Sequence, residues 1–282
     1  MEDKRKGLLF VHSAILMFGG TGLFARIVDL PATDIIAWRS VLAALVLLVI
    51  LLALKNPVRL RSRRDTGIML GIGVLLGVHW ITYFQSMQIA GVAVGMLALY
   101  TSPIITVFLE PLFHGQKPHG RDIFCAVLVF VGVMLLVPDF SLENDITQGV
   151  LWGVLSAVFF ALRNTLQRHY LQGYRGDTSM LYQSAVAALV AFPLLQHDPA
   201  DFTVDTVWQL ALLAIVFTAI PHSLFAGSLR YLKAKTVGLI GCLQPVYGTL
   251  FAFLILQEQP SLLTLVGGAL IVGTAAWETW RS

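Results

Sequence analysis

Charge is scarce in this 282-residue sequence. Asp, Glu, Lys and Arg together make up only 12% of the residues, whereas 57% are hydrophobic. A soluble globular chain carries about 25% charged residues. The shortage therefore excludes an ordinary water-soluble domain and indicates that hydrocarbon surrounds most of the chain.

Cysteines and catalytic groupings are scarce as well. The two cysteines, Cys125 and Cys242, fall inside apolar stretches, where they are interpreted as small packing residues rather than a disulfide or a metal pair. His79 and His222 also lie in such stretches, but no set of metal ligands with recognisable spacing accompanies them. With no Ser/His/Asp set and no carboxylate pair in the apolar stretches, the sequence predicts no metal, no cofactor and no enzymatic activity.

Long apolar stretches are what the sequence has in abundance. A membrane-spanning helix needs about 20 mainly apolar residues, and the alternating segments of a lipid-embedded barrel are absent. The first stretch is too long for a cleaved signal peptide, whose apolar part is usually about 7–15 residues. We therefore predict an all-α polytopic membrane protein with ten transmembrane helices. The predicted spans cover residues 7–27, 31–53, 66–89, 91–113, 121–137, 148–171, 178–195, 206–231, 234–256 and 261–280.

The basic residues are confined to alternate connectors. If the N-terminus is cytoplasmic, every Lys and Arg except Arg26, Arg39 and Arg163 lies in or beside a cytoplasmic connector, and most acids lie outside. Lys and Arg are retained on the cytoplasmic side of a membrane. The sequence thus predicts a multi-pass protein of the cell inner (plasma) membrane with both termini cytoplasmic. The pI near 9.0 comes from these one-sided loops and does not indicate a nucleic-acid partner.

The second half of the chain repeats the first. Ser40–Val46 matches Ser184–Val190 at five of seven positions, and residues 79–118 align with 221–260 without a gap, pairing Pro103 with Pro245. Two five-helix units in series have opposite orientations, because five is odd. We predict inverted repeats at 1–140 and 141–282, the construction of many secondary transporters, which hold substrate between the repeats.

Four segments of the sequence carry a family resemblance. They are FGGTGLFAR (18–26), PATDIIAWRSVLAALVLL (31–48), SMQIAGVAVGMLALYTSPIITVFLEPLFHGQKP (86–118) and LKAKTVGLIGCLQPVYGTLFAFLILQEQP (232–260). These segments resemble the drug/metabolite transporter superfamily, and within it the EamA-type family. Phe18 stands where that family usually has Trp and Gln116 where it usually has Glu, whereas Glu258 in the second repeat keeps the family residue. The resemblance implies ten helices, alternating access and export of small metabolites or drugs, with aromatic amino-acid exporters as the nearest analogy.

The third predicted span carries an unusually polar segment, HWITYFQSMQ, at residues 79–88. Positions three or four apart share a helix face, so His79, Tyr83 and Ser86 form one stripe with Trp80 beside it. Polar atoms facing lipid would be unsatisfied, so this stripe should face the protein interior or a cavity. We interpret it as the wall of a substrate cavity; hydrogen bonding between helices is the alternative.

Prolines and glycines mark candidate hinges. Pro103 and Pro245 lack a backbone donor, which frees the carbonyls of Leu99 and Gly241 and bends both helices. A static kink is the alternative to a moving hinge. The full set of predicted hinge residues is Pro103, Pro245, Pro221, Gly19 and Gly20.

Few charges lie within the predicted spans. Arg163 could clamp a carboxylate, since its planar fork matches that group, or it could extend to the cytoplasmic surface; the sequence leaves both open. Arg39 and Glu110 are assigned to holding helices together or closing gates.

These features predict an exporter of small amphipathic metabolites, with amino acids, including aromatic ones, as the favoured cargo. The alternative is proton-driven efflux of lipophilic cations, which would need a carboxylate in the membrane, and Glu110 is the one acid clearly within a predicted span. Coupling is left open between proton antiport and facilitated diffusion, and we predict a monomer. The candidate substrate-binding residues are His79, Trp80, Tyr83, Tyr100, Met17, Thr21, Arg163, His222, Gln244 and Tyr247.

Overall fold

A computed structural model describes residues 2–114, 120–137 and 140–281, and within these ranges the regular secondary structure is helical. A 3₁₀ turn, Thr21–Leu23, joins the first two helices, and a π-helical turn, Ile215–Ala219, joins the tenth and eleventh. The α-helices are α1 (Glu2–Gly20), α2 (Phe24–Ile27), α3 (Ala32–Ala53), α4 (Arg63–Ala90), α5 (Val92–Leu99), α6 (Ser102–His114), α7 (Gly120–Leu136), α8 (Asp145–Tyr170), α9 (Gly176–Ala191), α10 (Val204–Ala214), α11 (Ile220–Ser228), α12 (Ala234–Gly241), α13 (Gln244–Leu256) and α14 (Leu262–Arg281).

Local sequence explains where the long helices begin and end. The hydroxyl of Ser62 accepts from the amide of Asp65 at the start of α4, and the side chain of Asn144 accepts from the amide of Ile146 at the start of α8. Such caps satisfy donors that the first helical turn leaves free. Gly91 then ends α4 with φ = 91°, a conformation that glycine adopts readily.

Four of the predicted spans are interrupted rather than continuous. They correspond to α1/α2, α5/α6, α10/α11 and α12/α13. The expected bends at Pro103 and Pro245 are breaks, because each proline is the second residue of a new helix. At Pro221 the helix instead widens into the π turn just before the proline.

The helices are suited to a membrane. Eight helical stretches of the described chain are long and apolar enough to cross a bilayer, among them α4, α8 and α14. Two others, α7 and α9, contain 17 and 16 residues, at the lower limit for a span. Their outer faces are apolar, for example at Phe124 and Phe130 of α7 and at Leu189 of α9. The protein is thus an all-α, multi-span membrane protein, as predicted.

Helices from the two halves of the chain pack against each other. Helix α4 lies against α8 and α9, α3 lies against α9, and α7 lies against α14. Gly149 permits the close approach of α8, since a Cβ there would lie 2.2 Å from the Cβ of Ala90. This packing directs the inner faces of α3 and α4 towards the second half of the chain.

Candidate functional site

The polar stripe of α4 is buried in the protein. His79, Trp80 and Tyr83 are no more than 5% exposed. The His79 ring stacks on Tyr83, with ring centroids 5.9 Å apart, and lies 4.8 Å from the ring of Phe160 on α8. The stripe therefore faces an aromatic environment between the two halves of the chain.

Ser156 on α8 fixes the orientation of His79. The serine hydroxyl donates to the His79 carbonyl at 2.8 Å, and Nδ1 of His79 lies 2.7 Å from that hydroxyl oxygen and 3.2 Å from the Ser156 carbonyl oxygen. Because the hydroxyl hydrogen is already used, Nδ1 is the donor. In the neutral ring, Nε2 then remains an acceptor. His79 thus joins α4 to α8 and still has one nitrogen for another partner.

His222 brings α11 of the second half to the same cluster. Its Nδ1 lies 2.7 Å from the carbonyl oxygen of Thr218, which makes Nδ1 a donor. The ring contacts Phe18 edge-on at 4.7 Å and lies 6.3 Å from the ring of Trp80. We call His79, Trp80, Tyr83, Phe160, His222 and Phe18 the central cluster.

Arg39 from α3 adds a cation to the central cluster. Its guanidinium carbon lies 4.2 Å from the ring centroid of Trp80 and 5.1 Å from that of Phe84. The side chain is buried, and among the described residues its Nε and Nη1 have no hydrogen-bond partner; the same holds for the hydroxyl of Tyr83. The sequence assigned Arg39 to holding helices or closing gates, whereas the structure places it against Trp80.

Arg163 lies in a separate polar network between α8 and α9. Its Nε donates to Oε1 of Gln183 and its Nη1 to Oδ1 of Asn164, both at 2.7 Å, and its Nη2 lies 3.3 Å from the sulfur of Met180. These bonds hold the guanidinium between α8 and α9, against Gln183, and not extended along α8. Three of the five N–H groups of Arg163 are thus engaged by protein partners.

The prolines of the second half free two carbonyls, and hydroxyls from the first half bond to both. Pro245 cannot donate to the Gly241 carbonyl, which accepts from the hydroxyl of Tyr100; Oε1 of Gln244 lies 3.4 Å from the same hydroxyl. The Phe217 carbonyl, four residues before Pro221, accepts from the hydroxyl of Thr21 at 3.1 Å. We call these two hydrogen bonds the hydroxyl caps. They join the halves of the chain at the helix breaks.

The glycine pair of α1 serves close packing. A Cβ at Gly19 would lie 2.7 Å from the Cβ of Tyr247, and one at Gly20 would lie 2.4 Å from the ring of Phe217. Tyr247 packs among apolar residues of α1 and α12, and Met17 is partly buried on α1. Met17 and Tyr247 therefore lie beside the central cluster and do not form its ring contacts.

The expected outer end of the bundle is also tied together. The carboxylate of Glu258 accepts from the amide of Val92 at 3.0 and 3.2 Å, and one of its oxygens lies 3.8 Å from Nε of Arg26. A cavity of about 630 Å³ lies next to this contact, lined in part by Arg26, Gln88 and His197.

Some sequence predictions cannot be placed. Residues Gln116 and Pro118, and the side chain of Glu110, lie outside the described part of the chain. Within that part, no group of three His, Cys, Asp or Glu side chains is placed to hold a metal ion. Sequence reasoning missed Ser156 and Phe160, whose four-residue spacing puts them on one face of α8.

Known proteins resemble this chain. The sequence profile of the EamA-like transporter family matches the chain twice, at residues 5–137 and 147–277. The chain belongs to the EamA-like transporter family. Its function is therefore transport, not enzymatic catalysis, and the two matches fall one in each predicted repeat.

Two curated relatives illustrate the family. The uncharacterized transporter YxxF of Bacillus subtilis is 24% identical over 280 residues, covering 96% of this chain and 89% of its own. The pseudopaline exporter CntI of Pseudomonas aeruginosa is 27% identical over 243 residues, covering 86% of this chain and 84% of its own. A solved crystal structure that is 20% identical superimposes with a TM-score of 0.67 over 97% of this chain and 96% of the other. That last likeness shows the fold alone.

Proposed function

We propose that this EamA-family transporter exports small amphipathic metabolites, with amino acids, including aromatic ones, as the favoured class. The observation that carries the proposal is the central cluster, in which aromatic rings, two imidazoles and a buried guanidinium meet between the two halves of the chain. Aromatic walls suit an apolar body, and the polar groups suit a charged or hydrogen-bonding end. The similarity to a pseudopaline exporter supports export of a small molecule.

The placement of buried charge favours substrates that carry a negative group. Arg39 is the eighth residue of α3 and Arg163 the nineteenth of α8. The buried acids of the described chain lie within about one turn of a helix end; they are Asp34, Asp122, Asp177 and Glu278. A centre with buried cations repels lipophilic cations, so this arrangement supports the metabolite proposal over cation efflux.

The helix breaks support an alternating-access cycle. Inverted-repeat transporters bind substrate near the midplane at interrupted helices and alternate by moving one bundle against the other. Here the breaks at Pro103 and Pro245 occupy equivalent positions in the predicted repeats, and the π turn before Pro221 adds a third irregular segment. We assign the hinges to these prolines and to the glycine pair of α1.

The proposed setting is the inner membrane, with ten spans, both termini cytoplasmic and the protein acting as a monomer. Alternating basic connectors support this topology. A ten-helix bundle built from two halves can enclose a substrate without a second subunit.

The first test is uptake of labelled amino acids into proteoliposomes, with and without an imposed pH gradient. We expect saturable uptake of aromatic amino acids. The His79→Ala variant should lose at least about tenfold in uptake, because a hydrogen bond to a charged group of the substrate contributes about 1.5–3 kcal/mol. His169→Ala, at the exposed end of α8, is the matched control. Equal uptake by wild type and His79→Ala would remove His79 from the site, and no uptake of any panel member would refute the amino-acid proposal.

A further inference from the structure

Arg39 is a buried cation with unused hydrogen-bonding capacity. It is 2% exposed, and two of its three guanidinium nitrogens have no partner among the described residues. A buried charge without hydrogen bonds is costly, and unsatisfied donors add to that cost. An arrangement of this kind is stable when a ligand supplies the missing acceptors.

The neighbours of Arg39 leave its edge available. Trp80 and Phe84 provide ring contacts at 4.2 and 5.1 Å, which stabilise the charge electrostatically but accept none of its N–H groups in the plane of the guanidinium. The hydroxyl of Tyr83, on the same face of α4 as His79, is also buried and has no partner among the described residues, and the Tyr83 ring contacts Phe84 edge-on at 6.3 Å. Unused donors from α3 and α4 therefore lie on either side of the Phe84 ring.

The nearest acid on the same helix is already engaged elsewhere. The carboxylate of Asp34 accepts from the backbone amides of Gln196 and His197 at 3.0 Å and contacts Nδ1 of His197 at 2.9 Å. These partners lie on the connector between α9 and α10, at the helix end away from the central cluster. Asp34 thus stabilises that connector and leaves the charge of Arg39 uncompensated.

We infer that Arg39 and the hydroxyl of Tyr83 form an anion subsite that holds the carboxylate of the transported substrate. A carboxylate has the acceptor count and planar shape that match guanidinium N–H groups, and the Tyr83 hydroxyl can donate a further bond. With the carboxylate held there, the rest of an aromatic amino acid lies among the rings of the central cluster. The inference rests on the proposed function and assigns one end of its substrate.

Arg163, the clamp considered from the sequence, is less suited to this role. Its three guanidinium nitrogens are already directed to Gln183, Asn164 and Met180. Gln183 is held in turn by Gln167 and Ser179, at 3.1 and 2.8 Å. A substrate at Arg163 would meet a guanidinium that protein partners already satisfy in part, whereas a substrate at Arg39 would supply the acceptors that the described residues leave out.

The test compares ligands that share one aromatic body. Wild-type protein in lipid nanodiscs is titrated with phenylalanine, 3-phenylpropionate and phenethylamine, and binding is measured by calorimetry and by the rise in unfolding temperature. We expect binding of the two carboxylates and at least tenfold weaker binding of the amine. Equal or tighter binding of phenethylamine overturns the inference without any variant, as does stabilisation by chloride equal to that by 3-phenylpropionate.

Variants then locate the subsite. Arg39→Gln is expected to weaken 3-phenylpropionate binding at least tenfold, and Tyr83→Phe severalfold. Arg64→Gln is the matched control, because this arginine also lies over an aromatic ring, Tyr170, but at the other end of α4. If Arg39→Gln does not fold, Arg39→Lys keeps the charge without the planar fork and should bind the carboxylate more weakly than wild type. Unchanged binding in folded Arg39 variants overturns the inference.

The two proposals can fail separately. In one outcome, uptake depends on His79 but carboxylate binding does not depend on Arg39. This result would support the proposed export function and refute the anion subsite. Carboxylate binding that depends on Arg39, without uptake of any amino acid, would retain the subsite and refute the proposed cargo.

Discussion

Equivalent helices of the two predicted repeats are packed to different extents. In the most apolar 18-residue windows of α4 and of α5/α6, 56% and 61% of the residues are buried, whereas the corresponding fractions in α10/α11 and α12/α13 are 33% and 22%. The two predicted repeats are therefore packed asymmetrically, and the α10–α13 hairpin is the less buried element. The proposed alternating-access cycle would exchange these packings.

The contacts explain this difference. Helix α4 packs on α8 and α9 through glycine faces and through the hydrogen bonds between His79 and Ser156. The α10–α13 hairpin packs on α1 at the glycine pair and is also joined to the first half by the hydroxyl caps of Tyr100 and Thr21 at its helix breaks. Because a smaller share of its residues is buried than in α4, we expect the hairpin to move while the α4–α8 pair stays fixed.

The largest effect is expected from Gly149→Val, which places a larger side chain in the close contact between α4 and α8. The new Cβ would lie 2.2 Å from the Cβ of Ala90 and 3.1 Å from the carbonyl oxygen of Ser86, and neither can move without its helix. Overpacking of this kind costs about 1–3 kcal/mol, occasionally more. Unfolding in detergent, followed by size-exclusion chromatography, measures the loss. Gly71→Val is the control, since no heavy atom lies within 4 Å of its Cβ; equal losses in both would contradict the packing argument.

A smaller effect is expected from Tyr100→Phe, which removes one hydroxyl cap. The Gly241 carbonyl would lose its donor at the α12/α13 break, and hydrogen bonds between membrane helices contribute about 0.6 kcal/mol on average and up to about 1.7. We expect a loss within that range, together with a wider spread of distances between spin labels on α4 and α12. Tyr231→Phe, at an exposed tyrosine, controls for loss of a hydroxyl. A distance distribution identical to that of wild type would show that the cap does not restrain the hairpin.

Thr21→Val should have a weaker effect on the second cap. The Thr21 hydroxyl lies 3.1 Å from the Phe217 carbonyl and 3.5 Å from that of Met17. Its bond to the second half is therefore longer than the bond of Tyr100, and the hydroxyl is shared between two carbonyls. We expect a loss of about 0.5 kcal/mol in the free energy of unfolding. Thr106→Val is a matched control, because among the described residues that hydroxyl bonds to the Ser102 carbonyl in its own helix. If both variants lose the same amount, the cross-repeat bond contributes nothing beyond an intrahelical one.

The smallest effect is expected from Glu258→Gln, which changes the contact of Glu258 with Val92 and Arg26. Gln keeps an acceptor for the Val92 amide and loses only the charge opposite Arg26, whose side chain is 46% exposed. Such exposed pairs contribute about 0–1 kcal/mol. Glu258→Ala also removes the acceptor and should be more damaging when unfolding is compared. A Gln variant as unstable as the Ala variant would show that the ion pair with Arg26, and not the hydrogen bond to the Val92 amide, stabilises this contact.

The sequence was sufficient for the helices and for the direction of the polar stripe. Apolar length predicted the helical stretches, and the spacing of His79 and Tyr83 predicted an inward face because lipid cannot satisfy polar groups. The EamA resemblance is confirmed by the profile matches. These properties depend on local composition and on the surrounding lipid, and both can be inferred from one sequence.

Properties that depend on partners from distant segments were not predictable. Pro103 and Pro245 indicated bends, but whether a helix bends or breaks depends on what satisfies the freed carbonyl, and the Tyr100 hydroxyl is 141 residues from Gly241. The roles considered for Arg163 did not include its bond to Gln183 on α9. The sequence assigned Arg39 to holding helices together or closing gates, because its contact with Trp80 depends on how α3 packs against α4.

The position of Trp80 beneath Arg39 has a spectroscopic consequence. The emission energy of an indole depends on the electric field across its ring, and here a full positive charge lies 4.2 Å from the ring centroid. Four of the other tryptophans, Trp152, Trp208, Trp277 and Trp280, are on exposed surfaces where phenylalanine should be tolerated. With these and Trp38 replaced, Trp80 is the remaining indole. Its emission wavelength should then report, without a label, whether the charge of Arg39 has been neutralised.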